Sequence, residues 1–520
     1  MCLLKPGLPG FLPFKICMLF RVVSMMKKVS TLFFWVLTGC GPFSEPMDYT
    51  SHTAPKYNEA EAYPGGETSV SAYPFASLEK PAANIDDELR PDFHAGKALA
   101  RQPWIKAPTA TDARDGLGPV FNARTCLTCH IKGGKGNIPQ DNDSPITTTL
   151  VRLSQATFNP DTSTEVLLKQ GLVPHEVYGD QIQNQSTSLA HHLRNNKSAQ
   201  HLTHDVSPEA YLYVQWHFSK FIFPDGREVD LRKPTIDFRY LGYGPLGDDT
   251  LISIRMAPSI HGMGLLELIL QQDIDALADE HDQNQDGISG RVNQVWDVQT
   301  QSLQPGRFGL KSNKPTLAMI VAGAFANDLG ISNPLFPDQP CTNQQPTCQQ
   351  QITGNNAEGF ELPQHLLDLV VDFNRNLAPI KRDNADNKKI LQGRELFYQT
   401  GCNGCHQPRF VTGESEKFTH LSKQEIWPYT DLLLHDMGES LADNRPEFLA
   451  NGQEWRTAPL WNLGDQVDVN GSNVLLHDGR ARNVEEAILW HGGEAKNAKD
   501  KFVNLPITQR EALMQFVYSL

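Results

Sequence analysis

The pentapeptides Cys126-Leu127-Thr128-Cys129-His130 and Cys402-Asn403-Gly404-Cys405-His406 constrain this chain more than any other feature. The two thiols of each motif are spaced to form thioethers with porphyrin vinyl groups, and the adjacent imidazole can reach the iron. A thioredoxin-like redox pair or half of a zinc site would account for Cys-x-x-Cys alone, but neither requires the histidine that follows in both copies. Two covalently bound haem c groups are expected, with His130 and His406 as proximal ligands. Covalent attachment also keeps haem from being lost outside the cell.

An exported chain must occupy its cysteines. Of nine, Cys2, Cys17 and Cys40 lie in the leader and four belong to the motifs, which leaves Cys341 and Cys348 as one pair. A disulfide across that short Gln/Thr/Pro-rich loop would stabilise by about 2–3 kcal/mol in the chain-entropy model. The leader reads as an export signal from Met25 or Met26. Lys27 and Lys28 supply its positive end, residues 29–37 a short apolar stretch, and Leu37-Thr38-Gly39-Cys40 resembles a lipobox. That stretch is too short to span a bilayer. Cys40 is the expected site of lipidation, giving a periplasmic protein anchored to a membrane without crossing it.

A length of 520 residues implies two or three domains, and 60 acidic against 46 basic residues, a net charge of −14, argue against a nucleic-acid partner. A redox partner protein, preferably basic, and a small-molecule oxidant or reductant are expected instead. Residues 1–40 read as leader, 41–83 as a flexible tether, 84–382 as an N-terminal haem domain with insertions, and 383–520 as a C-terminal cytochrome c-like haem domain. Helices are expected at 208–220, 264–280, 316–326, 362–376 and 390–397. The fold expected is mainly α, two cytochrome c-like haem domains with a large insertion in the first.

Trp455-Arg456-Thr457-Ala458-Pro459-Leu460-Trp461-Asn462-Leu463, Leu476-His477-Asp478-Gly479-Arg480 and Glu485-Glu486-Ala487-Ile488 together resemble a stretch of bacterial di-haem cytochrome c peroxidases. The segments 428–438 and 486–495 are similar to a narrower branch, the di-haem oxidoreductase family, often labelled thiol oxidoreductases. The resemblance spans residues 116–520. It implies a peroxidase-like oxidoreductase in which one haem relays electrons and the other reacts with substrate. The alternative is a non-catalytic electron-transfer cytochrome with both haems six-coordinate.

In the peroxidases a Met beyond the His-Asp/Ser-Gly element is the sixth ligand of the C-terminal haem, and the same interval from His477 reaches His491 here. The resemblance thus implies bis-histidine ligation by His406 and His491, with a lower potential than His/Met ligation. Met437 is the competing candidate, and His477 is implied to support the haem edge. At the first haem, the stretch from Met256 through His261 to Glu267 is similar to the acidic segment of the peroxidase pocket. It implies Glu267 as the distal acid and His261 as its partner or a displaceable ligand. Read on their own, Glu267 is a helix N-terminal charge and His261 a loop residue. Finally, Asp282, Asn284 and Asp286 alternate before Gly287 as in a calcium-binding EF-hand loop. Asn293 at the twelfth position removes the bidentate ligand, so a calcium site and a solvated turn both remain open.

Overall fold

Each Cys-x-x-Cys-His motif follows a helix that is crossed by a second helix at a glycine. Helix Arg90–Arg101 carries Pro91 in its first turn and buries Phe93, Gly96, Leu99 and Ala100, the spacing of a single apolar stripe. It meets helix Gln364–Arg375 so closely that a β-carbon on Gly96 would lie 1.9 Å from the Leu369 carbonyl oxygen. Phe93 packs on Phe373 at the same crossing, 5.3 Å between ring centres. Helices Lys388–Thr400 and Ile507–Ser519 repeat the device: a β-carbon on Gly393 would lie 2.0 Å from the Ala512 carbonyl oxygen, and Phe397 packs on Phe516 at 5.4 Å. In this computed structural model the described residues are 51–72, 77–110, 114–157, 164–187 and 206–520. The leader and Cys40 lie outside them.

The helical crossings hold only part of the chain. With 30% helix and 19% strand arranged in small antiparallel sheets, the fold is mixed α/β and not mainly α. The long middle region makes the difference. Thr149–Gln155 pairs with Thr250–Met256, Ala210–Ile222 with Glu228–Leu241, and Gln294–Asp297 with Ser302–Pro305. Residues 208–220, expected as a helix, lie mostly in the second of these pairs. Ala210, Leu212, Val214 and Trp216 are buried at every other position, the period of a strand with one covered face, and aromatic and β-branched residues suit that surface. The segment 264–280 forms two short helices, Met263–Glu267 and Gln271–Asp275, in place of one.

Contacts cross the expected boundary at residue 382 in several places. At the turn of the long hairpin, Phe223 lies under the guanidiniums of Arg227 and Arg510, at 4.2 and 4.1 Å. Arg227 pairs with Glu485, and Arg510 with Asp225. The expected flexible tether is also packed over its described part. Residues 51–72 lie against the C-terminal half because Glu61, fully buried, receives Arg394 at 2.6 and 3.0 Å and the Tyr429 hydroxyl at 3.3 Å. Val70 bridges Ile380 in parallel.

The deepest link between the halves is ionic. Asp443 accepts from Arg255 at 2.9 Å, Lys311 at 2.8 Å and the Ser253 hydroxyl at 2.6 Å, while Glu447 receives Arg255 at 2.9 Å and pairs with Arg445. Burial alone would raise the Glu447 pKa, but Arg255, Arg445 and Arg152 bring it from 4.5 to about 2. Its stabilising contribution is therefore present above pH 4.5 and is lost as the pH falls toward 2. Glu447→Ala should cost about 3–5 kcal/mol, because Arg445 stays buried without its carboxylate and Arg255 keeps only Asp443. Urea unfolding as a function of pH checks both points: the variant should be weaker at neutral pH and less sensitive to acid. Wild-type stability in the variant would show that the network contributes nothing.

Candidate haem centres

The second motif begins where helix Lys388–Thr400 stops. Gly401 takes the left-handed conformation (φ 87°) that ends the helix, its N–H bonding back to Phe397 and Tyr398, and the chain turns through Cys402–Gly404. His406 N–H donates to the Cys402 carbonyl at 3.0 Å. The His406 ring donates Nδ1–H to the Tyr429 carbonyl at 3.0 Å, which leaves Nε2 available to an iron and fixes the ring plane. Burial pushes the His406 pKa down to about 4 and keeps the ring neutral.

A cavity of about 490 Å³ opens beside this motif and is lined by Cys402, Cys405, His406, Met437, His477 and His491 among others. His491 caps helix Val484–Trp490 and ties its own Nδ1 to the Ala487 carbonyl at 2.7 Å, so its Nε2 is also uncommitted. Both rings line this one cavity. His477 stacks flat on Trp455, 3.7 Å between ring centres and 9° between planes, and burial lowers its pKa to about 3. Lys311 and Arg255 sit against the same indole, at 4.6 and 4.8 Å.

The first motif has the same local geometry. Thr125 caps the turn Cys126–Cys129 through its hydroxyl, and His130 N–H donates to the Cys126 carbonyl at 3.0 Å. His130 donates Nδ1–H to the Pro258 carbonyl at 2.6 Å. Both motifs thus present two thiols free of disulfides and an imidazole oriented by a main-chain carbonyl. This donor set fits haem. A model for the family described as "Di-haem oxidoreductase, putative peroxidase" matches residues 57–520. The chain belongs to this family.

No curated protein matches the chain. Among solved structures, a chain of Kuenenia stuttgartiensis hydrazine synthase pressurised with xenon aligns at 15% identity and a TM-score of 0.22. The match covers 31% of this chain and 57% of that one, and at that score it carries no argument.

In this di-haem oxidoreductase His261 and Glu267 are not hydrogen-bonded to each other. His261 is 1% exposed and makes no hydrogen bond from either ring nitrogen; burial lowers its pKa to about 3. Glu267 accepts the Leu317 N–H at 2.8 Å, at the start of helix Leu317–Asp328, and Arg375 Nε at 2.8 Å. Both of its oxygens are engaged. In the loop expected to suit calcium, Asp282 accepts the Gly287 N–H, Asn284 that of Asp286, and Asp286 that of Ile288. Asn293 is buried and donates to the Lys311 and Glu447 carbonyls, facing the core. Cys341 and Cys348 are joined, with Cα atoms 5.7 Å apart. No helix of the described residues is long and apolar enough to cross a membrane.

The residues that sequence reasoning left without a role are Asp431, His435 and Glu494. His435 donates to Asp431 at 2.7 Å and to Glu494 at 2.6 Å. Burial opposes its charge, but the Asp431 carboxylate bonded to it holds its pKa above the ordinary 6.5. Glu494 also accepts the N–H and hydroxyl of Ser289 at 3.0 and 2.9 Å and the N–H of Asp436 at 2.9 Å. It therefore clips the 282–290 loop, whose Asn284, Asp286 and Ile288 line the cavity, to the haem motif. The i, i+4 spacing of Asp431 and His435 was a readable signal; their closure by Glu494 was not. Glu494→Ala should cost about 1.5–3 kcal/mol through lost charge-assisted bonds and speed hydrogen exchange at residues 282–290. The His435 contribution is complete below pH 6.5 and lost as the pH rises through its higher folded value. Exchange mass spectrometry that finds the loop unchanged would remove Glu494 from this role.

Proposed function

We propose that this di-haem oxidoreductase is an exported c-type cytochrome with peroxidase-like activity. Haem bound at the second motif would relay electrons, and haem bound at the first would meet a small-molecule oxidant. The observation that carries this reading is the pairing of His406 and His491 at one cavity, each with Nδ1 tied to a main-chain carbonyl and Nε2 free. Two rings so oriented suit six-coordinate iron, the state of a relay and not of a substrate site. Cys402 and Cys405 would hold the porphyrin by thioethers, as Cys126 and Cys129 would at the first motif. There His130 is oriented from Pro258, and His261 supplies a neutral buried imidazole with unsatisfied nitrogens. A redox partner protein would deliver electrons, and the signal ending at Cys40 would leave the protein lipid-anchored in the periplasm.

One observation favours a second reading, electron transfer without catalysis: Glu267, the expected distal acid, is already held by Arg375 and the Leu317 N–H. Our proposal assigns it to holding those elements.

Absorption and EPR spectra of the purified protein distinguish the two readings. An enzyme should show a high-spin, cyanide-accessible iron in at least one redox state, whereas two low-spin irons inert to cyanide in both states would establish the second reading. Pyridine haemochrome should give two haems per chain. His491→Ala should retain that count, since Cys402 and Cys405 are untouched, and turn one low-spin signal high-spin. Met437→Ala should not. The reverse pattern would transfer the sixth ligand to Met437.

A further inference from the structure

We infer that Lys135 and Arg456 form a two-cation clamp for the propionate carboxylates of the haem tethered at Cys402 and Cys405. The inference rests on the haem reading above and adds a binding role for two residues, one of them contributed by the loop that follows the first motif.

Both side chains line the cavity beside the second motif. Lys135 is aimed there by its own main chain: its N–H donates to Gln466 Oε1 at 3.0 Å, and its carbonyl accepts from Asn470 Nδ2 at 2.8 Å. Helix Gln466–Asn470 thereby grips the backbone on both sides of the side chain. Arg456 spends Nε on the Gly309 carbonyl at 2.9 Å and Nη1 on the Thr457 carbonyl at 3.3 Å. Its remaining donor, Nη2, makes no hydrogen bond among the described residues. Neither cation has a carboxylate of the described residues within ion-pair distance, whereas Arg255, Lys311, Arg394 and Arg445 each have one.

The carboxylates that line the cavity are already engaged. Glu494 serves His435, Asp436 and Ser289, and Asp286 accepts the Ile288 N–H. A desolvated cation without a close counter-charge is costly; burial pulls Lys135 down to about 8, and pulls Arg456 down to about 10 although the Asp431 carboxylate opposes the shift. An anionic group filling the cavity would supply the missing close partner. The propionates are the anionic groups of a haem, and two cations match two carboxylates. An ammonium takes one as a point charge, and a guanidinium edge takes the other in its plane.

The test is an EPR-monitored redox titration of the holoprotein. Lys135→Met and Arg456→Met should each lower the midpoint potential of the C-terminal haem, since an uncompensated propionate favours ferric iron. The expected size is roughly tenfold in the reduction equilibrium, about 59 mV for a one-electron couple. Lys135→Arg and Arg456→Lys should restore most of the shift, which a purely structural role would not predict. In Arg456→Met the first haem should keep its potential. Unchanged potentials in both Met variants, with two haems still counted by pyridine haemochrome, would overturn the clamp. So would a wild-type potential that moves with added phosphate or acetate, since the cations would then hold a diffusible anion. A wild-type haem count of one, with none at Cys402 and Cys405, would instead sink the haem reading beneath it.

Discussion

The carboxylate of Asp443, buried among Arg255, Lys311 and Ser253, is the interaction on which the rest of this molecule depends. It joins the strand Thr250–Met256 of the middle region to a loop of the C-terminal half, and Glu447 continues the network through Arg445. Charges this deep are tolerated only when each is answered. The same cations lie against Trp455, which carries His477 flat on its ring. One wall of the cavity is thus held from behind by electrostatics.

Around that link the chain uses one device twice. A glycine lets two helices approach to main-chain contact, and a pair of phenylalanines fills the space beside it, once before each haem motif. The strands lie between and beyond these crossings. Their long hairpin reaches past the end of its own region, where Phe223 packs between its own Arg227 and Arg510 of the other half. The N-terminal strap does the same through Glu61 and Arg394. Relative movement of the two haem centres is consequently opposed by several buried ion pairs and not by one interface.

The haem centres share a rule. In both, the histidine after the second cysteine is oriented by a main-chain carbonyl, Pro258 in one case and Tyr429 in the other. Main-chain acceptors hold a ring in one tautomer without adding charge, which suits an iron ligand that must stay neutral. The clip formed by Asp431, His435 and Glu494 places charge beside His406, where the carboxylate of Asp431 and the imidazolium of His435 act in opposite directions.

What could be read from the sequence alone was whatever chemistry is local. Two thiols and an imidazole within five residues point to haem by their spacing, and the pairing of Cys341 with Cys348, which the fold joins, follows from elimination. The apolar stripe of residues 390–397 is one helix face. The alternation of Leu212, Val214 and Trp216 was equally present, but a short apolar run suits helix and strand until its partner is known, and that partner is Glu228–Leu241. Tertiary structure decided whatever depends on a distant answer. Glu267 is held by Arg375 and the Leu317 N–H, far along the chain, and Lys311 meets Asp443 across the molecule. The acceptors that orient His130 and His406 are carbonyl oxygens, which every residue carries and no side-chain pattern reveals. Local covalent chemistry leaves its mark in spacing, whereas electrostatic and main-chain complementarity exists only once the fold has brought its halves together.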